Sequence, residues 1–338
     1  MTGRPVRVLI IGCGNIAGGF DEHRPAGDLP LTHAGAFQRH GGFELAACVE
    51  PDEARRLAFM AQWDVSRGFS SVDDNALREL RFDLVSICSP TASHGGHLEA
   101  ALALAPRVIF CEKPVTPTVA ETSRWVERCA AAGVALAVNH TRRWAPDVRR
   151  LHDELVAGHW GALRSVAGWY NKGILNNGGH MVDLVRWLAG ELHFKAAGLA
   201  VHDHWPDDPT VPALLEADGG VPVQLCTGHA ADYALFELQL VTSRAVIVME
   251  NGGMSWRVRN STESPHFQGY RSLAPAEPLP GEYAHAMSEA AANLHAAVTR
   301  GDVPASTGTS ALSAQRICEQ IRDSAWRTPL PASRSSRP

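Results

Sequence analysis

Short runs of β-branched residues alternate with helical patterns along the first 140 residues. The runs typical of strands are Val6 to Ile11, Phe43 to Glu50, Leu84 to Cys88, Val108 to Cys111 and Leu136 to Asn139. Between them, apolar residues recur at helical spacing over Asp52 to Gln62, Asp74 to Leu80, His94 to Leu104 and Thr118 to Ala132. Because strands that alternate with helices form parallel sheets with right-handed crossovers, this pattern predicts a doubly wound α/β domain.

After residue 145 the pattern changes. It predicts a helix from Pro146 to Val156, a strand from Leu163 to Tyr170 and a helix from Asn177 to Leu188. The alternating segments that follow include the hairpin of Leu235 to Leu240 and Ala245 to Glu250, which is typical of an antiparallel sheet. We therefore expect a second, α+β domain with a large, mostly antiparallel open sheet, and further helices over Glu282 to Thr299 and Ser306 to Ser324. The last of these can pack back on the first domain.

Composition narrows the class of partner. The chain has 338 residues, 45% of them hydrophobic and 20% charged, which is ordinary for a globular protein. A net charge of -5 without a Lys/Arg run argues against nucleic acid and membrane surfaces as partners, and favours a small molecule. The seven cysteines are scattered without a CxxC, and the N-terminus runs directly into a strand without a secretory signal. These features predict a reduced, cytoplasmic protein without a metal site.

A glycine-rich turn follows the first strand. Gly12, Gly14, Asn15 and Ile16 belong to the run G-C-G-N-I-A, which matches GxGxxA. In this position glycines allow a tight turn and a close approach of the backbone to a pyrophosphate at a helix N-terminus. The motif therefore predicts a dinucleotide site built by Gly12, Gly14, Asn15 and Ile16.

An acidic residue ends the second strand. Glu50 can accept hydrogen bonds from both hydroxyls of an adenosine ribose and would repel a 2′-phosphate, which favours NAD over NADP. Glu50 lies further along the chain than the usual spacing of about 20 residues. We attribute the excess to an insertion, Asp21 to Leu31, before a helix that resumes at Thr32.

Two more polar segments follow later strands of the first domain. One contains Ser89, Pro90, Thr91 and His94, and the other is Glu112-Lys113-Pro114. Ligands of open α/β sheets bind at the carboxyl ends of strands, where both segments fall. We therefore add Ser89, Pro90, Thr91, His94, Glu112 and Lys113 to the expected cofactor site.

Taken in order, these four segments resemble the Gfo/Idh/MocA family of NAD(P)-dependent sugar and cyclitol oxidoreductases. The resemblance extends into the second domain, where N-H-T-R-R-W at 139–144 is similar to the family's interdomain segment and N-N-G-G-H-M-V-D at 176–183 to its D-x-x-x-H-x-x-D helix start. It implies an NAD-binding Rossmann domain over 1–140, a substrate-binding and oligomerisation domain over 141–327, and a frayed tail over 328–338.

The resemblance also implies roles for individual residues. Lys113 and His180 would be the catalytic pair, and the expected substrate-binding residues are Arg142, Tyr170, Lys172, Asn176 and Asp183. Since an unperturbed lysine has a pKa near 10.4, Lys113 must be desolvated or act as a fixed charge while His180 takes the proton. The family's aspartate four residues before the histidine is Asn176 here, so the usual carboxylate partner of the imidazole is missing and weight moves toward Lys113.

The leading hypothesis is an NAD-dependent dehydrogenase that oxidises a secondary ring hydroxyl of a sugar, aminosugar or aminoglycoside intermediate, and that forms a homodimer or homotetramer. Within the family, the insertion and the K-G-I-L-N-N-G run are similar to the branch of gentamicin-type aminoglycoside dehydrogenases. Two alternatives are an NAD-dependent glycosidase of the same family and a redox-silent NAD-binding regulator. His202-Asp203-His204 lacks a third metal ligand at useful spacing, so we expect it to be a solvated loop.

Overall fold

The computed structural model describes residues 4–25 and 27–326, so the expected frayed tail at 328–338 lies outside the described residues. The chain divides into two compact units. The first unit is Met1–His159, Gly253–Ser255 and Leu279–Gln315, and the second unit is Trp160–Gly252, Trp256–Pro278 and Arg316–Pro338.

These bounds differ from the expected division after residue 140. The first unit keeps the segment up to His159 and takes the chain back at Leu279–Gln315. The indole of Trp144 donates to Asn293 Oδ1 over 2.9 Å, and Arg150 forms an ion pair with Glu282. Such contacts join sequence-distant segments, which a linear reading of the chain does not detect.

The described strands are β1 (Val6–Ile11), β2 (Phe43–Val49), β3 (Gly68–Phe69), β4 (Leu84–Ile87), β5 (Val108–Cys111), β6 (Ala135–Val138), β7 (Leu163–Tyr170), β8 (Leu192–Ala197), β9 (Val201–Trp205), β10 (Asp208–Thr210), β11 (Ala213–Ala217), β12 (Val221–Thr227), β13 (Phe236–Thr242), β14 (Ala245–Glu250), β15 (Ser255–Glu263), β16 (Arg271–Leu273) and β17 (Leu279–Pro280). The described α-helices are α1 (His33–His40), α2 (Glu53–Trp63), α3 (Asn75–Arg78), α4 (His94–Ala103), α5 (Val119–Ala131), α6 (Pro146–Val156), α7 (Gly178–Ala189), α8 (Ala286–Arg300) and α9 (Gly308–Asp323).

The first unit contains a parallel sheet in the order β3-β2-β1-β4-β5-β6. Its central strands are almost continuously apolar because helices cover both faces, and Leu9, Ile87 and Ile109 are completely buried. The order reverses between β1 and β4, and the carboxyl ends of these two strands form the crevice where such sheets bind ligands. The predicted Rossmann fold is confirmed.

An insertion interrupts the first helix of this sheet. Residues 14–18 form one helical turn, in which Gly18 N–H donates to Gly14 O over 3.2 Å. The chain then leaves the helix and rejoins it at Thr32, the N-cap of α1. Across this gap, the N–H groups of His33 and Ala34 donate to the carbonyls of Ile16 and Ala17. Both bonds join residues 17 apart instead of four, so thirteen residues are looped out of an otherwise continuous helix.

The looped-out segment is closed at its base and explains the position of Glu50. The carboxylate of Asp21 accepts hydrogen bonds from the backbone N–H of Leu31 and from the backbone and hydroxyl of Thr32. Glu50 lies 33 residues after Ala17, and 20 once the thirteen are left out, which is the ordinary spacing of a dinucleotide-binding acid.

The second unit is built on a mixed sheet in the order β16-β15-β14-β13-β7-β12-β11-β8. Its neighbours β7 and β12 run parallel, while β7, β13 and β14 pair antiparallel. Helix α7 packs on β7 at Gly168, where an added Cβ would come 2.7 Å from the sulfur of Met181. This is the predicted α+β architecture.

A two-stranded hairpin of β9 and β10 lies outside that sheet. The expected solvated loop at 202–204 is wrong, since these residues belong to β9. His202 and His204 are exposed, whereas Asp203 on the other side of the strand is partly buried. Among the described residues, no helix is both long and apolar enough to cross a membrane.

Candidate active site

The glycine turn after β1 has the shape that a dinucleotide requires. Gly12 has φ 87°, and an added Cβ would lie 2.7 Å from the backbone of Ser89, so a side chain is excluded by the neighbouring strand. A Cβ on Gly14 would meet nothing within 4 Å. The space beside Gly14, the exposed Asn15 and the first-turn N–H groups therefore fit a pyrophosphate, which is the geometry expected for an NAD-type cofactor.

The carboxylate of Glu50 lies against this turn. One of its oxygens accepts the N–H of Cys13 over 3.0 Å, and the other accepts the N–H of Asp52 over 3.1 Å and a guanidinium N–H of Arg55 over 3.3 Å. Since a carboxylate oxygen can accept two hydrogen bonds, the oxygen hydrogen-bonded to Cys13 can still accept one from a ribose hydroxyl. A cavity of about 150 Å³, lined by Gly14, Asn15, Arg55 and their neighbours, adjoins the turn.

The segment after β4 is held from behind by His94. Ser89 is nearly buried, while Pro90 is exposed and Thr91 partly exposed. His94 is completely buried, with Nε2 2.8 Å from the Ser89 carbonyl and Nδ1 3.1 Å from the Pro114 carbonyl. This placement favours a positioning role for His94, which fixes one predicted cofactor loop to the other, over direct contact with a cofactor.

Glu112 and Lys113 follow β5 at the same edge of the sheet as Glu50. Lys113 is partly buried and precedes a cis peptide bond to Pro114. Its backbone N–H donates to Glu112 Oε2 over 3.3 Å. Glu112 Oε1 accepts the side-chain amide of Asn139 over 2.6 Å and lies 3.0 Å from His33 Nε2.

Arg142 lies in the short helical turn after β6, in the first unit. It is nearly buried, and its guanidinium lies 4.8 Å from the ring centroid of Tyr283. Burial lowers the pKa of Arg142, against a raising effect of Tyr283. A cation stacked on an aromatic ring in this way is held in one orientation.

In the second unit, the residues before α7 form a tight loop held by two carboxylates. The Asp208 carboxylate accepts the backbone N–H groups of Leu175 and Asn176 over 2.8 and 2.9 Å. Asp203 accepts the N–H of Lys172 over 3.1 Å and the hydroxyl of Thr210 over 2.7 Å. These two acids fix the path of the loop that carries Lys172 and Asn176.

The amide of Asn176 has a clear local role. Its Nδ2 donates to the Lys172 carbonyl over 3.0 Å and closes the turn. A carboxylate at position 176 could not donate to that carbonyl. The exchange of the family's aspartate for asparagine therefore fits the local hydrogen bonding, in which Asp208 of β10 is the carboxylate that accepts the loop N–H groups.

His180 lies in the first turn of α7 and is partly exposed. Asp183, one turn later on the same face, is buried. Tyr170 is completely buried, and its hydroxyl donates to the Val211 carbonyl over 2.6 Å and accepts the Val211 N–H over 3.0 Å. This placement argues against direct substrate contact by Tyr170.

Comparisons with known proteins agree with this architecture. The family model described as "Oxidoreductase family, NAD-binding Rossmann fold" matches residues 6–140. D-glucoside 3-dehydrogenase of Escherichia coli is 28% identical over 199 residues, which cover 54% of this chain and 52% of that protein. Inositol 2-dehydrogenase of Leifsonia xyli is 33% identical over 178 residues, 49% of this chain and 52% of that protein. This chain thus matches about half the length of these relatives.

Solved structures show the same fold over nearly the whole chain. A 3-ketoreductase from Actinomadura kijaniata in complex with NADP has a TM-score of 0.75 at 20% identity and covers 97% of this chain and 100% of its own. An oxidoreductase from Agrobacterium radiobacter in complex with NAD+, L-tartaric acid and magnesium has a TM-score of 0.74 at 17% identity, with 94% and 96% covered. Residues 6–140 therefore match the Gfo/Idh/MocA oxidoreductase family with its NAD-binding Rossmann fold, and the solved structures share the fold of nearly the whole chain.

Proposed function

We propose that this protein is an NAD-dependent dehydrogenase that oxidises a secondary ring hydroxyl of a sugar, aminosugar or aminoglycoside intermediate to a ketone. One observation carries the proposal. Three residues, Gly14 with open space beside it, Glu50 and Lys113, come after strands that end at the carboxyl edge of one parallel sheet. That edge is where such sheets bind dinucleotides. The relatives named as D-glucoside and inositol dehydrogenases support a polyhydroxylated ring as substrate.

Bound NAD supplies a hydride acceptor for the carbon that carries the hydroxyl. Lys113 provides either a base for the hydroxyl proton or a fixed positive charge beside the developing alkoxide. His180, in the second unit, contributes an imidazole that can accept or donate a proton. The assignment of both residues to one reaction is part of the proposal, as are the substrate-binding roles of Arg142, Lys172, Asn176 and Asp183.

The proposal is tested by incubating the full chain with NAD and a panel of sugars, cyclitols and aminosugars while NADH absorbance at equilibrium and over time is recorded. We expect net NADH formation with at least one ring alcohol, together with a ketone product by mass spectrometry. Cleavage of a glycosidic substrate without net NADH would instead support the glycosidase alternative. Binding of NAD without turnover of any member of a broad panel would favour the redox-silent regulator.

We further propose that NAD is preferred to NADP, because the Glu50 carboxylate would face a 2′-phosphate. Arg55 favours NADP instead, because its half-exposed guanidinium lies 3.3 Å from Glu50 and would attract a 2′-phosphate. Dissociation constants for NADH and NADPH test which of the two residues dominates. We expect Arg55→Ala to increase the ratio of the NADPH to the NADH dissociation constant, and Glu50→Gln to decrease it. Tighter binding of NADPH by the unaltered protein would overturn the assignment of Glu50.

We also propose a homodimer or homotetramer formed through the open face of the second sheet. That face includes the partly exposed Val246 and Val248 of β14 and Leu214 of β11, which is 51% exposed. Apolar sheet faces of this kind are normally covered by a partner. A strictly monomeric mass by light scattering at micromolar concentration would contradict the proposal.

A further inference from the structure

Two histidines of helix α4 hold one residue at the end of β4. The carbonyl of Ser89 lies 2.8 Å from His94 Nε2, and the hydroxyl of Ser89 lies 2.7 Å from His97 Nδ1. The two histidines are three residues apart, so they lie on the same face of α4. Ser89 is nearly buried and His97 is partly buried, so the second hydrogen bond is shielded from water on one side.

Ser89 also lies against the glycine turn. A Cβ added to Gly12 would come within 2.7 Å of both the Cα and the backbone nitrogen of Ser89. Gly12 directly follows β1, and the strand order of the sheet reverses between β1 and β4. Ser89 is therefore part of the crevice in which such sheets bind a dinucleotide, and its backbone is packed directly on the turn expected to hold the pyrophosphate.

The ring of His97 is neutral at neutral pH. Burial lowers the pKa of His97, and His94 lowers it further, against a raising effect of Asp73. A neutral imidazole shares one hydrogen with the Ser89 hydroxyl, either as the donor or as the acceptor. The contact between His97 and Ser89 is therefore a hydrogen bond between neutral groups, which fixes an orientation without placing a charge in the crevice.

We propose that His97 is a positioning residue for the cofactor: through the hydroxyl of Ser89 it holds residues 89–91 in the arrangement that a bound dinucleotide requires. The inference rests on the proposed binding of NAD at this edge of the sheet. His94 fixes the carbonyl of Ser89 and His97 fixes its side chain, so the residue is held at two points. A segment that is ordered before the cofactor arrives loses less conformational entropy on binding.

The expected direction follows from this pre-ordering. His97→Leu keeps a side chain in the same place but removes the partner of the Ser89 hydroxyl. Residues 89–91 then spend part of their time in arrangements that do not bind NADH, and the apparent dissociation constant increases as the competent fraction falls. We expect an increase of about two- to tenfold, which corresponds to the loss of one hydrogen bond between neutral groups.

Two amide substitutions separate this role from simple packing. Asn carries its amide two bonds from Cβ, where the imidazole of His97 has Nδ1, whereas Gln carries its amide one bond further out, where the imidazole has Nε2. Because Nδ1 is the atom that lies 2.7 Å from the Ser89 hydroxyl, His97→Asn should restore the affinity for NADH and His97→Gln should not. A residue that only fills space would not distinguish the two amides in this order.

The experiment is a titration of the full chain with NADH, followed by fluorescence or calorimetry, with thermal unfolding recorded for each variant. Ser89→Ala should weaken binding as much as His97→Leu does, and the double variant should be no weaker than either, since both changes remove the same hydrogen bond. His40→Leu, at the exposed C-terminal end of α1, makes the same chemical change away from the crevice and should leave the dissociation constant unchanged.

An unchanged dissociation constant in folded His97→Leu would overturn the inference. Additive losses in the double variant, or restoration by Gln but not by Asn, would overturn it as well. The expected pattern in a protein that oxidises no ring alcohol would uphold the role of His97 and reject the proposed dehydrogenase. A natural protein that binds neither NADH nor NADPH would reject both.

Discussion

The two units place their candidate site residues by different means. In the first unit, Gly12 and Glu50 directly follow β1 and β2, and Lys113 is the second residue after β5, so the backbone path of a parallel sheet brings them to one edge. In the second unit, the loop that carries Lys172 and Asn176 is held by carboxylates 31 to 33 residues later in the chain. One site is positioned by strand order and the other by individual side chains.

The difference has a functional meaning. A sheet edge keeps its geometry when surface side chains change, which suits a part of the site that binds the same cofactor in many proteins. A loop held by two acids can be reshaped by one substitution, which suits a part of the site that adapts to different substrates. We therefore expect substitutions in the first unit to affect chemistry and cofactor binding, and substitutions in the second to affect substrate affinity.

The largest effect is expected when the turnover of Lys113→Ala is compared with that of His180→Ala under saturating NAD. We expect the lysine change to lower turnover at least about a hundredfold, the size of losing one acid-base group, with cofactor affinity preserved. The histidine change should be milder, because Asn176 provides no charge to stabilise an imidazolium. An inactive His180→Ala protein beside a largely active Lys113→Ala protein would reverse the assignment.

A second test separates folding from cofactor binding within the glycine turn. Gly12→Ala forces a Cβ to within 2.7 Å of the Ser89 backbone at a positive φ, and we expect it to cost at least about 2 kcal/mol of unfolding free energy. Gly14→Ala meets no protein atom within 4 Å, so it should keep the stability and weaken NAD binding. Chemical denaturation and calorimetric binding measure the two quantities. Equal losses of stability in both variants would contradict the open space beside Gly14.

The smallest effect is expected for a substitution in the second unit, Asp208→Ala, and concerns the KM for the substrate. Asp208→Ala removes the acceptor of two partly buried loop N–H groups, so the loop loses two of the hydrogen bonds that fix its path. We expect KM for the substrate to rise about tenfold with the dissociation constant of NAD unchanged, because the loop loses its fixed path. The exposed neighbour in Asp207→Ala is the matched control. A loss of NAD affinity in Asp208→Ala would break the separation between the units.

Much of the first unit follows from local pattern. The strands Val6–Ile11 and Val108–Cys111 coincide with the predicted runs because they are buried on both faces and read as continuous apolar segments. The alternating residues of Ala245–Glu250 were equally informative in the second sheet. The proposed insertion before Thr32 is supported by the hydrogen bonds across it, although its base is fixed by Asp21, which local pattern does not mark.

The residues that the sequence pattern does not mark escape it for one physical reason: they act through contacts with distant parts of the chain. Asp203 and Asp208 act through tertiary contacts across some thirty residues, and β9 is too short and polar to show a strand pattern. His33 lies 79 residues from Glu112, and nothing in its own neighbourhood marks it as buried. The family pattern drew attention to the absent carboxylate at 176, but only the fold shows that Asp208 reaches the same turn from another strand.

The helix that resumes after the looped-out segment has an electrical consequence. Peptide dipoles add along a helix only when successive hydrogen bonds align them, and the carbonyls of Ile16 and Ala17 are met by N–H groups of His33 and Ala34. The eight residues of α1 therefore extend the single turn at Gly14 as one column of dipoles. The thirteen intervening residues change the contour of the surface while leaving the positive end of that column at the glycine turn.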